Sequence, residues 1–213
     1  MAGSRAGVRG ARITPLRRAM VEIAEHIAKV AESVDEDEVE KMIRILLEAR
    51  SSGRRVMVVG AGRSGLVGKA FAMRLMHLGF DVYVVGETIT PSLRKGDVLI
   101  AISGSGRTHV VVSVADAARK MGGRVIAVTS FRDSPLARIS HLVVIVPGRT
   151  KVAKEEDYFA RQILGMYEPL APLGTLFEDS AMVFLDGVVV ELMERLGITE
   201  DYMRERHANL ESV

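Results

Sequence analysis

Five short and almost uninterrupted apolar segments constrain the fold of this chain of 213 residues more than any other feature. We expect strands near 55–60, 81–86, 97–102, 124–129 and 142–146. Continuous apolar runs are typical of parallel strands that helices cover on both faces. Helical periodicity near 64–78, 107–121 and 176–196 supplies those covering helices. The pattern therefore predicts a doubly wound α/β fold around a five-stranded parallel sheet.

The connection after the second segment predicts the strand order. Residues 87–92 are irregular and contain Pro91, so they leave little room for a helix before the third strand. Strands one and three are then neighbours, and we expect the order 2-1-3-4-5. In such sheets ligands bind at the carboxyl ends of the strands, where the winding reverses. The loops after strands one and three should meet there.

Two amphipathic helices precede the sheet. Thr14 is the predicted cap of the first helix, and Asp35 begins the second. We interpret them as a helical extension of one domain that spans 14–213. Residues 1–13 carry three arginines and no acid, which predicts a flexible arm or an arm that docks on a neighbouring subunit.

The segment between the last strand and the last long helix is irregular. Residues 147–173 contain a possible short helix at 154–166, and they could form a lid, a surface excursion or a dimer contact. The helix that follows is apolar on nearly every side, which predicts burial against a partner subunit.

Composition narrows the function classes. Lys and Arg total 29 against 27 for Asp and Glu, a balance that does not indicate nucleic acid or a membrane as partner. The chain has neither a membrane-spanning apolar run nor a signal-peptide pattern, so we expect a cytoplasmic protein. Without cysteine, a His-x-x-x-His pair or clustered acids, no metal is expected. Few amides and many charges suggest heat adaptation.

Two glycine-containing loops carry the chemistry. Residues 60–65 and 103–108 each follow a strand and precede a helix, so backbone N–H groups and a helix dipole point at an anion. The first loop also fits the dinucleotide fingerprint, with Glu87 where a ribose-binding acid would stand. Arg63, however, would crowd a pyrophosphate. The hydroxyls of the second loop instead favour a phosphomonoester.

Five segments in order resemble a known family, 6-phospho-3-hexuloisomerase, whose fold is the SIS (sugar isomerase) domain. They are Gly60–Gly65, Ala72–Phe80, Gly86–Thr88, Ile102–Thr108 and Gly174–Glu178. The resemblance covers roughly residues 15–210. It implies a homotetramer without a cofactor that interconverts D-arabino-hex-3-ulose 6-phosphate and D-fructose 6-phosphate.

The resemblance also implies the substrate contacts. The Ser-x-Ser-Gly-x-Thr loop of the family binds the sugar phosphate, and Arg107 within it either adds charge or faces solvent. The first loop and the turn after strand two would face the sugar. The predicted binding residues are Gly62, Ser64, Thr88, Ser103, Gly104, Ser105, Gly106, Arg107 and Thr108.

Three residues are candidates for catalysis. The resemblance places the family's base at Glu178, whose alternative role is to stabilise a helix dipole. Arg63 would polarise the developing oxyanion or simply pair with a carboxylate. His207 would reach a neighbour's pocket and open the sugar ring. His77 lies about 20 Å along its helix from the first loop, which excludes it within its own subunit.

Other functions stay open at this point. An arabinose 5-phosphate isomerase has the same fold and transfers hydrogen at C1. A sugar-phosphate sensor would bind without catalysis, and a nucleotide-dependent oxidoreductase would use the dinucleotide fingerprint. The predicted base at Glu178 argues against a sensor.

Overall fold

The fold is a single five-stranded parallel sheet between helical layers, in a computed structural model that describes residues 14–148, 171–172 and 174–207. The order is β2-β1-β3-β4-β5, as predicted, and all pairs are parallel. The strands are β1 Val56–Gly60, β2 Val82–Val84, β3 Val98–Ile102, β4 Arg124–Thr129 and β5 Leu142–Ile145. The α/β fold class is confirmed.

Seven helices surround the sheet in the described part of the chain. They are α1 Pro15–Ser33, α2 Glu36–Ser51, α3 Gly62–His77, α4 His109–Lys120, α5 Pro135–Ile139, α6 Thr175–Leu196 and α7 Glu200–Glu205. The predicted caps are present, because Thr14 Oγ1 accepts the Arg17 N–H and Asp35 Oδ1 accepts the Glu38 N–H. The short α5 was not predicted, since five residues are too few for a periodic pattern.

Alternate strand residues build two separate cores. Val56 and Val58 of β1 face a core shared with α2, α3 and α6. Met57 and Val59 face the opposite core, which α4 and α5 cover. Both faces of the central strands are therefore buried, which explains why their sequences are continuous apolar runs. Strand β2 lies at an edge, is only half buried and is half the predicted length.

The register of β1 and β3 brings their following loops together. Gly60, the last residue of β1, lies opposite Ile102, the last residue of β3. The chain between β2 and β3 contains no helix, as the irregular sequence predicted. The loops after β1 and β3 consequently leave the sheet side by side at its carboxyl edge.

Helices α1 and α6 keep apolar side chains on the surface of the chain. Helix α1 packs on α6 and buries Val30, but Leu16 and Met20 are 70% and 62% exposed. Val183 and Val190 of α6 are exposed as well. The predicted burial of α6 against a partner subunit thus stays a prediction, with an apolar surface available for it.

Some sequence predictions fall outside the described residues. These are the arm at 1–13, the short helix at 154–166 and most of the suggested lid. Within the described ranges, no helix combines the length and apolar character required to cross a membrane.

Candidate functional site

The first loop is a tight turn from β1 into α3. A Cβ placed on Gly60 would lie 2.7 Å from the Ser64 carbonyl oxygen, so the turn closes only with glycine there. Ala61 precedes α3 and offers no side-chain cap, which leaves the first N–H groups of the helix without that partner. Ser64 is buried in the first turn. This geometry suits an anion or a polar sugar group.

The second loop holds its hydroxyl groups in an internal network. Ser103 Oγ lies 3.1 Å from Thr108 Oγ1 and accepts the Gly106 N–H at 3.1 Å. Ser105 Oγ accepts the Arg107 N–H at 3.2 Å. Ser103 and Ser105 are buried, whereas the Arg107 side chain is exposed. The loop therefore gathers small hydroxyl and N–H groups at one point, the chemistry that binds a phosphate.

Residues after β4 support the second loop through backbone hydrogen bonds and close packing. The Ser130 N–H donates to the Gly104 carbonyl at 3.1 Å, and the Leu136 N–H donates to the Gly106 carbonyl at 3.0 Å. The Ser134 hydroxyl packs so closely on Gly106 that any Cβ there would collide with it. These supports were missed from the sequence, although Ser134-Pro135 is a recognisable helix start.

Two polar contacts of one arginine join the first loop to α6. Arg63 Nε donates to Glu178 Oε2 at 2.7 Å, and Arg63 Nη2 donates to Asp179 Oδ1 at 3.2 Å. The Glu178 side chain is 14% exposed, and that of Arg63 is 54% exposed. The structure thus brings Arg63 and Glu178 together from positions 115 residues apart. Asp179 was not predicted as part of the site.

Glycine at position 174 leaves room for the Glu178 side chain to turn back over the start of α6. Gly174 has a φ of +73°, and a Cβ there would lie 2.7 Å from Glu178 Oε1. The Phe177 and Glu178 N–H groups both donate to the Gly174 carbonyl, at 3.0 and 3.1 Å. The carboxylate therefore sits at a helix N-terminus, next to a guanidinium and mostly shielded from water.

Thr88 lies at the periphery of this arrangement. It is exposed on the loop after β2, the neighbour of β1 at the same sheet edge. The adjacent Glu87 pairs with Lys69 of α3 at 2.5 Å. Among the described residues, no group of three or more His, Asp or Glu side chains is placed to hold a metal ion.

His207 lies away from the loops of its own subunit. Its ring centroid is 5.2 Å from that of His77, the last residue of α3. Arg63 is at the other end of α3, and 14 residues of helix separate the two by about 21 Å. A role for His207 in the site would therefore require a neighbouring subunit, as expected from the sequence.

Comparison with known proteins agrees with this arrangement of loops. The SIS domain model matches residues 50–159, a range that contains both loops and ends before Glu178. The chain belongs to the SIS-domain family. The matched range covers strands β1 to β5 and therefore the whole sheet.

Within the SIS-domain family, the chain is similar to two relatives of named function and to one solved structure. The 3-hexulose-6-phosphate isomerase of Bacillus subtilis is 36% identical over 90% of this chain and 97% of its own length. That of Mycobacterium gastri is 38% identical over 89% and 88%. A crystal structure from Methanococcus jannaschii, for which the same function is inferred, has a TM-score of 0.74 and 34% identity over 91% of this chain and 99% of its own.

Proposed function

We propose that this SIS-domain protein is an isomerase that interconverts D-arabino-hex-3-ulose 6-phosphate and D-fructose 6-phosphate. The contact between Arg63 and Glu178 carries the proposal, because it sets a shielded carboxylate and a cation beside a phosphate-type loop. Relatives at 36% and 38% identity that are named for this activity support it. The reaction needs a base and an oxyanion partner, and no redox cofactor.

The second loop binds the phosphate in this proposal. The residues from Ser103 to Thr108 offer hydroxyl and N–H donors. When phosphate binds, these donors exchange their internal hydrogen bonds for bonds to the phosphate oxygens. The first loop then faces the sugar, with Gly62 and Ser64 at the start of α3. Thr88 contributes from the loop after β2.

Glu178 is the general base. It removes the proton from C2 of the 3-ketose, and the electron pair of that C–H bond forms the C2–C3 double bond of a cis-enediolate. The negative charge develops on the oxygen at C3, where the Arg63 guanidinium stabilises it. The hydroxyl proton on O2 passes to O3, and return of the C2 proton to C3 then leaves the carbonyl at C2 and a hydroxyl at C3, which is fructose 6-phosphate. No atom is gained or lost, and no electron acceptor is required.

Ring opening is needed in one direction only. A 3-ketose whose O6 carries phosphate cannot close a five-membered ring, so the hexulose enters in its open form. Fructose 6-phosphate closes through O5 and must be opened for the reverse reaction. We assign this step to His207 of a neighbouring subunit, which makes His207 more important in the reverse direction.

A homotetramer is part of the proposal. Apolar side chains are exposed on three helices of the subunit: Leu16, Met20 and Val21 on α1, Leu66, Met73 and Met76 on α3, and Val183 and Val190 on α6. Apolar side chains exposed on helices in this way are available to form a subunit interface. Such an interface would also supply the neighbour that His207 requires.

The direct test is a coupled assay on the purified protein. Formation of fructose 6-phosphate from hex-3-ulose 6-phosphate is followed beside a matched reaction that starts from arabinose 5-phosphate. We expect turnover of the hexulose phosphate at least tenfold more efficient than that of the pentose phosphate. Preference for arabinose 5-phosphate would favour the rival isomerase, and tight binding without turnover of either would identify a sensor.

A further inference from the structure

Phe177 contacts the predicted phosphate loop and directly precedes the proposed base in the chain. It precedes Glu178 in α6, and its side chain is only 2% exposed. A Cβ built on Gly104, in the middle of the second loop, would lie 2.8 Å from two ring carbons of Phe177. That distance is about 0.7 Å shorter than the roughly 3.5 Å at which carbon atoms pack. The bare backbone of Gly104 therefore rests directly on the ring.

Both sides of this contact are held in place. The Gly104 carbonyl accepts hydrogen bonds from the Ser130 N–H at 3.1 Å and from Thr129 Oγ1 at 3.4 Å. On the other side, Phe177 packs on the backbone of Gly148 so tightly that a Cβ on that glycine would collide with it. Phe177 is thus packed between the second loop and the chain that follows β5.

We propose that Phe177 is a positioning residue that sets the distance between the bound phosphate and the Glu178 carboxylate, and so selects the carbons at which the enzyme works. This inference rests on the proposed function. The loop holds the phosphate end of the substrate and Glu178 acts at C2 and C3, and the Phe177 ring connects the loop to the helix that carries Glu178. Phe177 touches neither substrate end and acts through Gly104 and Glu178.

The distance from the phosphate matters because proton transfer involves two adjacent carbons. In the hexulose reaction, C3 and C2 lie three and four carbons from the phosphorylated C6. Conversion of fructose 6-phosphate to glucose 6-phosphate uses C2 and C1, which lie four and five carbons away. A fixed spacer therefore serves the first reaction and leaves the base about one carbon short for the second. We expect no formation of glucose 6-phosphate.

The same count explains a similarity to the rival reaction. In a pentose 5-phosphate, C2 and C1 lie three and four carbons from the phosphate, as C3 and C2 do in the hexulose. The spacer consequently does not separate these two substrates. Selection between them falls to groups that contact the end beyond C2, which the shorter sugar lacks.

The test combines Gly104→Ala, Phe177→Leu and the double variant. The added methyl pushes the ring and displaces Glu178 from the loop, so Gly104→Ala should lower kcat on hex-3-ulose 6-phosphate about tenfold to a hundredfold, since small misplacements are costly. KM should change less than about threefold, because the donors of the loop remain. Phe177→Leu in the same chain makes room for the methyl. The double variant should therefore recover at least a third of the decrease in log kcat that Gly104→Ala causes.

Gly123→Ala is the matched control. It also adds a buried methyl, 2.9 Å from Leu93 Cδ2, but at the amino ends of the strands, away from the site. The proposal would be overturned if Gly104→Ala kept the wild-type kcat or if Gly123→Ala lowered kcat equally. It would also be overturned if the two losses of kcat were additive in the double variant. If Gly104→Ala does not fold, Phe177→Leu alone decides, since an unchanged kcat there also refutes a spacer. Absence of isomerase activity in the wild type would instead reject the proposed function itself.

Discussion

At the scale of single residues, the site depends on one guanidinium shared by two carboxylates. Arg63 uses separate nitrogens for Glu178 and Asp179, which a lysine with its single amino group cannot reproduce. In the proposed mechanism, Asp179 keeps its hydrogen bond to Arg63 when Glu178 turns to the substrate. The arginine can then remain beside the reacting carbons while the base moves a proton.

Arg63→Lys should therefore impair catalysis far more than stability. We expect kcat to fall about a hundredfold through loss of the oriented oxyanion donor, with KM nearly unchanged. Thermal unfolding should shift little, because the lysine keeps a positive charge beside the shielded Glu178 carboxylate. Arg124→Lys is the control, as Arg124 pairs with Glu48 at 2.8 Å at the other sheet edge. A similar kcat for the two variants would contradict the role of Arg63.

At the scale of elements, the two ends of α3 have different tasks. Its N-terminus carries Arg63, and its C-terminal His77 lies against the ring of His207, just beyond the end of α7. Burial, together with the nearby charges of His207 and Arg74, lowers the pKa of His77 from its ordinary value of 6.5. The folded protein thus takes up a proton at His77 less readily than the unfolded chain does.

This difference predicts a loss of stability in acid. Because the pKa of His77 is lowered in the folded state, its neutral form stabilises the fold above pH 6.5, and this contribution is lost as the pH falls below that value. The free energy of unfolding, measured by denaturant titration, should fall less between about pH 7.5 and 5.5 in His77→Gln than in the wild type. His109→Gln, on the exposed start of α4, serves as the control. Equal falls in wild type and His77→Gln would reject this assignment.

The elements were largely predictable, and the exceptions have physical reasons. The apolar runs and the helix-free stretch after β2 predicted the order 2-1-3-4-5 from parallel-sheet rules alone. Helices α3 and α4 begin two residues from their expected starts, since glycine and threonine turns leave helix boundaries open. The contact between Arg63 and Asp179 and the packing of Phe177 on Gly104 join distant segments, so no local pattern reveals them.

At the scale of the whole molecule, the subunit leaves apolar helix faces uncovered. The sequence predicted an amphipathic α1 and an α6 that is apolar on nearly every side, but it could not tell which of their side chains the rest of the chain covers. The structure shows that Val30 is buried by the subunit, whereas Leu16, Met20 and Val190 remain exposed. The proposed assembly through these helices would account for the exposed side chains.

Val190→Arg should disrupt that assembly. A buried charge without a partner is costly, so we expect the molar mass from light scattering to fall from that of a tetramer to that of a dimer or monomer. Met121→Arg places the same charge on an exposed apolar site at the end of α4 and should leave the mass unchanged. If Val190→Arg keeps the wild-type mass, α6 does not form the interface.

The most direct measurement is the rate of a single turnover of hex-3-ulose 6-phosphate in Glu178→Gln. The glutamine keeps the shape of the side chain but cannot accept the C2 proton, so we predict a rate about a thousandfold below wild type. Glu194→Gln makes the same change on the exposed far end of α6 and should retain the wild-type rate. A wild-type rate in Glu178→Gln would contradict the central claim that Glu178 is the base.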